Sequence, residues 1–260
     1  MNKETSLNDK EITKIPKGVD NKFIPGEPRP EVEFLVIEKT GRRWPYHGGK
    51  KALSASTLTR ILREIEYEEI PEYILLKAAE RGKNFHDIIQ EFVQSGNHPL
   101  FVDLEEITKL NNLDKRVHET INFLKKNKSL KLGHFLGSET LHHVFYKEEL
   151  LATYVDLEFR DYIIELKTSN IKANKSPLAL LIFEVQLLIQ YLCTGKNVYL
   201  LWSTGEGIIF EEFKITPHSL QVLDMLMELV HNGEDYTLEM KKAIIQKILS
   251  NYSMPKKLIR

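Results

Sequence analysis

The spacing of apolar residues along the chain predicts a mixture of strands and helices. Residues 31–38 alternate as a strand does, and residues 134–167 predict three consecutive strands. Residues 198–203 and 207–213 predict a further hairpin. Helical spacing predicts the helices, at about 54–65, 72–94, 103–127, 177–193, 217–231 and 235–250. This order of elements predicts one α/β domain with a central sheet that helices cover on both faces.

Two of these helices have recognisable starts. Ser54 and Ser56 precede an apolar run that begins at Leu58, and a serine in this position caps a helix. Ser176 followed by Pro177 matches a cap and a first helical residue. The helix from Pro177 is apolar nearly all round, which predicts that it is buried.

The bulk composition narrows the class of protein. The 260 residues are 42% hydrophobic, and 36 basic against 37 acidic residues leave a net charge of −1. A nucleic-acid partner would therefore have to be met by a local basic patch. The single cysteine, Cys193, excludes an internal disulfide and a cysteine-rich metal cage. We find no signal peptide and no apolar run of membrane-spanning length, so we expect a cytoplasmic protein with no membrane partner.

The first fifty residues are predicted to lie outside the main domain. Residues 1–30 are polar and rich in proline, which predicts a flexible arm. Residues 41–51, GRRWPYHGGKK, predict a basic and aromatic loop. It would either contact a phosphate backbone and stack a base, or be a solvated turn with a docked Trp44. We therefore predict an arm and loop at 1–50 and a single domain with C-terminal helices at 51–260.

The stretch TYVDLEFRDYIIELKTS, residues 153–169, places charged residues in an otherwise apolar hairpin. A turn at Arg160–Asp161 pairs the two strands symmetrically and places Asp156 across from Glu165, with Lys167 on the same face. The opposite face is then wholly apolar, formed by Val155, Leu157, Phe159, Tyr162, Ile164 and Leu166.

Two carboxylates directly across an antiparallel pair destabilise a sheet. At about 5 Å they repel by roughly 3 kcal/mol if the effective dielectric constant is near 20. A divalent cation between Asp156 and Glu165 would offset the repulsion, and two hard oxygen ligands suit Mg²⁺ or Mn²⁺. Lys167 could then hydrogen-bond a water that attacks phosphorus. The alternative is a half-exposed hairpin in which Lys167 only neutralises the two acids.

With Asp156, Glu165 and Lys167, the hairpin resembles the motif of the PD-(D/E)XK nuclease superfamily. Four further segments resemble its RecB-type branch in the right order. They are SASTLTRIL (54–62), AAERGKNFHDIIQEF (78–92), SETL (138–141) and VQLLIQY (185–191). The resemblance covers about residues 52–215 and implies a restriction-endonuclease-like core, in which helices flank a central mixed β-sheet.

The resemblance also implies roles for individual residues. Asp156 and Glu165 would hold Mg²⁺ or Mn²⁺ with the help of His86 and the Leu166 carbonyl. Lys167 would position the attacking water and stabilise the charge that grows on the phosphate. Glu139 would orient that water or a second ion, and Gln186 would support the site. The candidates for DNA contacts are Ser56, Arg60, Lys77, Arg81, Trp44 and Tyr191.

Some features depart from the family pattern. Thr153 stands where a glycine is usual, and Tyr191 is one residue further from Gln186 than expected. One cysteine cannot supply the iron–sulfur cluster of the helicase–nuclease relatives, and no GxxxxGK[ST] motif for ATP is present. The chain therefore resembles the compact stand-alone members, such as the mitochondrial genome-maintenance exonuclease and its phage and bacterial relatives.

These observations predict a deoxyribonuclease that depends on Mg²⁺ or Mn²⁺ and uses neither ATP nor an iron–sulfur cluster. We expect an exonuclease on single-stranded or end-exposed DNA, in replication, recombination or repair. Two alternatives remain open, namely a structure-specific endonuclease on duplex DNA and a non-catalytic DNA-binding protein that keeps the fold. The polarity of cleavage and the oligomeric state do not follow from the sequence.

Overall fold

The computed structural model describes residues 32–37, 41–95, 113–127, 130, 134–169, 176–233 and 235–250. The strands are β1 (Glu33–Ile37), β2 (Arg42–His47), β3 (Lys50–Lys51), β4 (Leu53–Ser54), β5 (Phe135–Tyr146), β6 (Glu149–Phe159), β7 (Tyr162–Thr168), β8 (Asn197–Thr204) and β9 (Gly207–Glu212). The helices are α1 (Ala55–Leu58), α2 (Arg60–Glu66), α3 (Glu72–Gln94), α4 (Leu113–Lys126), α5 (Pro177–Thr194), α6 (Pro217–His231) and α7 (Leu238–Ser250). The predicted arm at 1–30 and the first part of the helix predicted at 103–127 lie outside the described residues.

A mixed six-stranded sheet forms the centre of the fold, in the order β4–β6–β7–β8–β9, with β5 also paired to β6. The β4–β6 and β7–β8 pairs are parallel, and the others are antiparallel. On one face, α3 and α4 bury residues such as Phe85 and Val117 against the sheet. On the other, α5 packs between the sheet and the helices α1, α2, α6 and α7. The predicted α/β class with a central mixed sheet flanked by helices is confirmed.

The β6–β7 hairpin has the predicted turn, and its register is as predicted as far as Leu157, but the predicted direct pair of Asp156 with Glu165 is not formed. Leu157 pairs with Ile164, and Glu158 pairs with Ile163. Of the six residues predicted to form one apolar face, five pack in a single core cluster with α3. Val155 is the exception, because it packs with Ile163 and Trp202 in a cluster on the α5 side. The prediction fails at Val155 because β6 and β7 are not paired on the N-terminal side of Leu157.

The prediction of a loop at 41–51 is wrong, since these residues form most of a small antiparallel sheet. β2 pairs with the predicted strand β1 and with β3. Gly48 and Gly49 connect β2 to β3 with φ of 56° and 80°, left-handed values that glycine adopts without a Cβ clash. Trp44 Nε1 donates to the Ala52 carbonyl at 3.0 Å, so the indole is docked.

Helix α5 forms the centre of the packing on its face of the sheet. Ser176 Oγ accepts from the Ala179 amide at 3.0 Å, with Pro177 as the first helical residue, as predicted. The helix is 18 residues long with a mean hydropathy of 1.6, so by length and composition alone it is able to cross a membrane. The expectation that no run approaches this length is therefore corrected. Sixty-one per cent of the helix is buried inside the protein, as in the core helix of a soluble domain.

A buried ion pair closes the turned end of the hairpin. Glu158 is 7% exposed, and its carboxylate accepts from Lys196 Nζ at 2.6 Å and lies 2.9 Å from His142 Nε2. Lys196 follows Gly195, which ends α5 in a left-handed conformation with φ of 64°. Burial alone would raise the pKa of Glu158, but its hydrogen bonds to His142 and Lys196 lower it to about 2.

We expect Glu158→Ala to lower the free energy of unfolding by about 3 kcal/mol at pH 7, because the Lys196 ammonium would lose its buried partner. The pKa of Glu158 is lowered on folding, so its contribution is present above about pH 4.5 and is lost as the pH falls toward about 2. Urea unfolding at pH 7 and pH 3 measures both effects. Glu148→Ala, at an exposed turn, is the control. Equal losses for the two variants would contradict this role.

Candidate active site

A gap along one side of β6 forms a cleft. β4 pairs with β6 up to Ala152, and β7 pairs with β6 from Leu157 onward. Between these positions neither strand is paired to that side of β6, and a cleft of about 810 Å³ lies there. Residues that line it include Trp44, Ser54, Ser56, Arg63, Tyr67, Glu139, Tyr154, Asp156, Lys167, Phe183 and Gln186.

Asp156 is held where the two strands diverge. Its Oδ2 accepts from the Leu166 backbone amide at 2.8 Å, so a side chain takes the place of a strand carbonyl as acceptor. Its Oδ1 lies 3.5 Å from His86 Nδ1, and its own carbonyl accepts from Gln90 Nε2 at 3.4 Å. Asp156 is only 8% exposed. His86 and the Leu166 amide therefore both contact the Asp156 carboxylate, and the role of the Leu166 carbonyl as a metal ligand stays a prediction.

Glu165 is 1% exposed and is surrounded by donors. Gln186 Nε2 donates to its Oε1 and Gln190 Nε2 to its Oε2, each at 2.5 Å. Lys167 Nζ also donates to Oε1. The sequence predicts that Gln186 supports the site, but it gives Gln190 no specific role. The only sequence signal for Gln190 is its position one turn after Gln186 on an apolar helix, where a buried amide needs a partner.

The carboxylates and cations of this site shift each other's ionisation. Burial, together with the charge of Asp156, raises the pKa of Glu165 to about 7, although Lys167 and Gln190 oppose the shift. Burial would raise the pKa of Asp156 too, but His86, Lys167 and the Leu166 amide lower it below its usual value. Burial favours neutral His86 and Lys167, but the adjacent carboxylates raise the pKa of both. The positive charge near the two acids is therefore too small for both of them to ionise at their ordinary pKa values.

Glu139 adds a third carboxylate to the cleft. The ladder pairs Ser138 with Leu157 and Thr140 with Val155, which places Glu139 beside Asp156. Glu139 has a φ of 51°, a left-handed conformation that costs a non-glycine residue about 1 kcal/mol. Its Oε1 accepts from Gln90 at 3.2 Å, and its Oε2 lies 2.9 Å from Arg42 Nη2. These two contacts hold the carboxylate at the cleft.

The donor set matches a hard divalent cation, although the described residues do not form a closed metal cage. No group of three or more His, Cys, Asp and Glu side chains in this part of the chain is arranged to hold an ion. Asp156 and Glu165, with His86 beside them, nevertheless supply carboxylate oxygens and an imidazole in a region short of positive charge. Mg²⁺ and Mn²⁺ take such ligands and keep other positions for water and substrate oxygens.

The structure separates the predicted DNA contacts into two groups. Ser56 and Trp44 line the cleft. The others lie elsewhere: Arg60 is exposed and pairs with Glu64, Lys77 and Arg81 are exposed on α3, and Tyr191 packs against the core. The sequence does not predict that Arg63 and Tyr67 line the cleft, because nothing in their local pattern distinguishes them from solvated surface residues.

Comparisons with known proteins add little to this geometry. No protein-family model matches the chain, and no curated protein matches it. Among solved structures, SSO0001 is 17% identical over 71% of this chain and 77% of its own, with a TM-score of 0.36. A protein from Eubacterium rectale named "Putative exonuclease" is 15% identical over 70% of this chain and 82% of its own, with a TM-score of 0.44. Nothing about the chemistry of this chain follows from similarities at this level.

We expect Glu165→Gln to remove a pH-dependent loss of stability in EDTA. The pKa of Glu165 is raised on folding, so its stabilising contribution is complete below about pH 4.5 and is lost as the pH rises through about 7. Between pH 5 and pH 8 the variant should gain up to about 3 kcal/mol relative to the wild type. The altered hydrogen bonds of the substituted amide add an offset that cancels in this comparison.

Urea unfolding of both proteins at several pH values measures this difference. Glu148→Gln, with its carboxylate at an exposed turn, should follow the wild-type profile. Parallel profiles for Glu165→Gln and the wild type would show that the charge of Glu165 is not destabilised by folding.

Proposed function

We propose that this chain is a metal-dependent DNA nuclease that hydrolyses phosphodiester bonds, as an exonuclease on single-stranded or end-exposed DNA. The observation that carries this proposal is a cleft lined by Asp156 and Lys167, where the Lys167 ammonium also donates to the buried carboxylate of Glu165. Both acids are buried, and burial together with the charge of Asp156 raises the pKa of Glu165. Ionising Glu165 at this site therefore costs free energy. A structural ion pair would not require a second buried carboxylate.

The residues at the cleft fit the ion that the proposal requires. Asp156 and Glu165 would hold Mg²⁺ or Mn²⁺, with His86 and the Leu166 carbonyl as further ligands. The bound ion would neutralise charge on the phosphate and polarise it for attack. Gln186 and Gln190 fix the orientation of Glu165 from α5, and Gln90 and Arg42 fix that of Glu139.

Lys167 has a positioning and electrostatic role in this proposal. Burial favours its neutral form, but Glu165 and Asp156 raise its pKa above the ordinary value of lysine. At neutral pH the side chain is therefore an ammonium group that donates hydrogen bonds and cannot accept a proton. It would orient the attacking water and stabilise the negative charge that develops on the phosphate oxygens.

The walls of the cleft favour an unpaired strand as substrate. Trp44, Tyr154 and Phe183 all line it, and aromatic rings stack on single-stranded bases without sequence preference. Trp44 and Tyr154 lie with ring centroids 5.8 Å apart, and Tyr154 Oη donates to the Arg43 carbonyl at 2.7 Å. This contact fixes the small β1–β3 sheet beside the opening in β6.

We expect Lys167→Ala to lower the rate of DNA cleavage by at least about a hundredfold, because it removes the group that orients the water and stabilises the charge. The measurement uses end-labelled single-stranded and duplex DNA and closed circular DNA, with Mg²⁺, Mn²⁺ or EDTA. Wild-type protein should shorten strands from their ends, and EDTA should stop the reaction. Lys214→Ala, at an exposed lysine, should retain the wild-type rate.

The same assay separates the alternatives. Cuts in closed circular DNA would identify an endonuclease instead. Tight DNA binding without cleavage under any metal condition would identify a non-catalytic DNA-binding protein. If Lys167→Ala cleaves as fast as the wild type, the assignment of Lys167 is wrong.

A further inference from the structure

One guanidinium group in the cleft has no carboxylate partner among the described residues. Arg63, on α2, lines the cleft together with Ser56, Tyr67 and Lys167. Its Nη2 donates to the Ser56 carbonyl at 2.9 Å and to Thr59 Oγ1 at 3.0 Å, both neutral acceptors. Its Nε is buried and has no hydrogen-bond partner among the described residues. Donor capacity of this cation is therefore unused.

The other cations near this site differ from Arg63 in their pairing or in their exposure: Lys51 also lines the cleft but is exposed to solvent. Lys167 donates to Glu165, and Arg42 lies 2.9 Å from Glu139. Partial burial lowers the pKa of Arg63, and the Arg63 charge in turn opposes protonation of Lys167. A half-buried cation next to another cation is costly unless an anion arrives to offset it.

Several hydroxyl groups line the cleft together with the Arg63 guanidinium. Ser54 Oγ lies 2.7 Å from Ser56 Oγ and 2.9 Å from Thr57 Oγ1, and all three residues line the cleft. The Tyr67 phenol lies on the same wall, and burial raises its pKa, so it remains a hydrogen-bond donor. Hydroxyl groups and a guanidinium are the side chains that proteins use to contact phosphate oxygens.

The surface continues past Arg63 into a second, open depression of about 390 Å³. Ser56, Arg63 and Tyr67 line both this depression and the cleft. A chain molecule that enters the cleft could therefore extend across Arg63 and out to the surface. Because Arg63 lines both the cleft and the depression, it is placed to contact a neighbouring unit of the same strand.

We propose that Arg63, with the hydroxyl groups of Ser56 and Tyr67, binds a phosphate group of the DNA strand other than the one that is cleaved. The proposal rests on the proposed nuclease function, since the phosphate belongs to its substrate. Binding there fixes the register of the strand, and so decides which phosphodiester bond lies beside Lys167. Arg63 is a substrate-positioning residue in this scheme.

The first test measures binding of a fluorescent single-stranded oligonucleotide in EDTA as a function of salt. Arg63→Gln should weaken binding about tenfold, and the slope of log affinity against log salt should fall by about 0.7, the value for one phosphate contact on a single strand. Arg63→Lys, which keeps the charge but loses the planar fork, should lie between the two. Arg160→Gln, at an exposed hairpin turn, should match the wild type. Unchanged affinity and slope in Arg63→Gln would overturn the proposal.

The second test uses unaltered protein, so it does not depend on how the variants fold. Each non-scissile phosphate of the oligonucleotide is replaced in turn by a neutral methylphosphonate, and the end carries a phosphate or a hydroxyl. One position should weaken wild-type binding about tenfold and have no further effect in Arg63→Gln. Dependence on the end group identifies a terminal phosphate, and dependence on an inner position identifies a diester. If no position depends on Arg63, the subsite does not exist.

The two proposals fail in different ways. Cleavage by the wild type with no Arg63-dependent phosphate would refute the subsite and leave the nuclease function standing. Arg63-dependent phosphate binding without cleavage of any DNA would refute the nuclease function and leave the subsite standing. Thermal unfolding of Arg63→Gln and Arg160→Gln shows whether loss of the contacts to Ser56 and Thr59 changes stability.

Discussion

The hydrogen bond from the Leu166 amide to the Asp156 carboxylate is the interaction on which the candidate site depends. It ends the regular pairing of β6 and β7 without leaving a buried amide unsatisfied, a defect that would cost about 1–3 kcal/mol. Because the strands diverge there, the side of β6 between Ala152 and Leu157 is open, and the cleft forms. The same carboxylate then lies beside His86 and close enough to Glu165 to raise its pKa.

The core orients the residues of the site, and the site in turn lowers the stability of the protein. Glu165 is oriented by two glutamines of α5, the most apolar helix of the described chain, so the geometry of the carboxylate depends on the packing of that helix. Gln190 Oε1 has no partner among the described residues, and Glu139 keeps a left-handed conformation. Buried charges, an unsatisfied amide oxygen and backbone strain all lower stability, and proteins retain such features chiefly where function requires them.

Local patterns predict those parts of this structure that local forces determine. The alternation of side chains and the short turn at Arg160 are enough to predict the β6–β7 register, because a slip of one residue would expose the whole apolar face. The prediction fails at Val155 because the Asp156 side chain, and not a backbone carbonyl of β6, accepts from the Leu166 amide. The spacing of apolar residues does not reveal such an exchange of acceptors. The partners of Glu158 and Glu139 come from distant elements, and a local pattern does not show that Arg63 lacks a carboxylate partner in the described part of the chain. Such facts depend on tertiary structure.

The cleft combines charges of both signs in a way that couples its ligands under the proposed function. Glu139 and Asp156 line it and, with the buried Glu165, supply negative charge, whereas Lys51, Arg63 and Lys167 line it and supply positive charge. The carboxylates repel a phosphate until a divalent cation neutralises them, and a phosphate in turn supplies oxygens that the cation lacks. Each ligand must therefore raise the affinity of the other by the same factor, since coupling free energy is reciprocal. Arg63 has no carboxylate partner among the described residues, so its attraction for a second phosphate would hold the strand even while the carboxylates carry no cation.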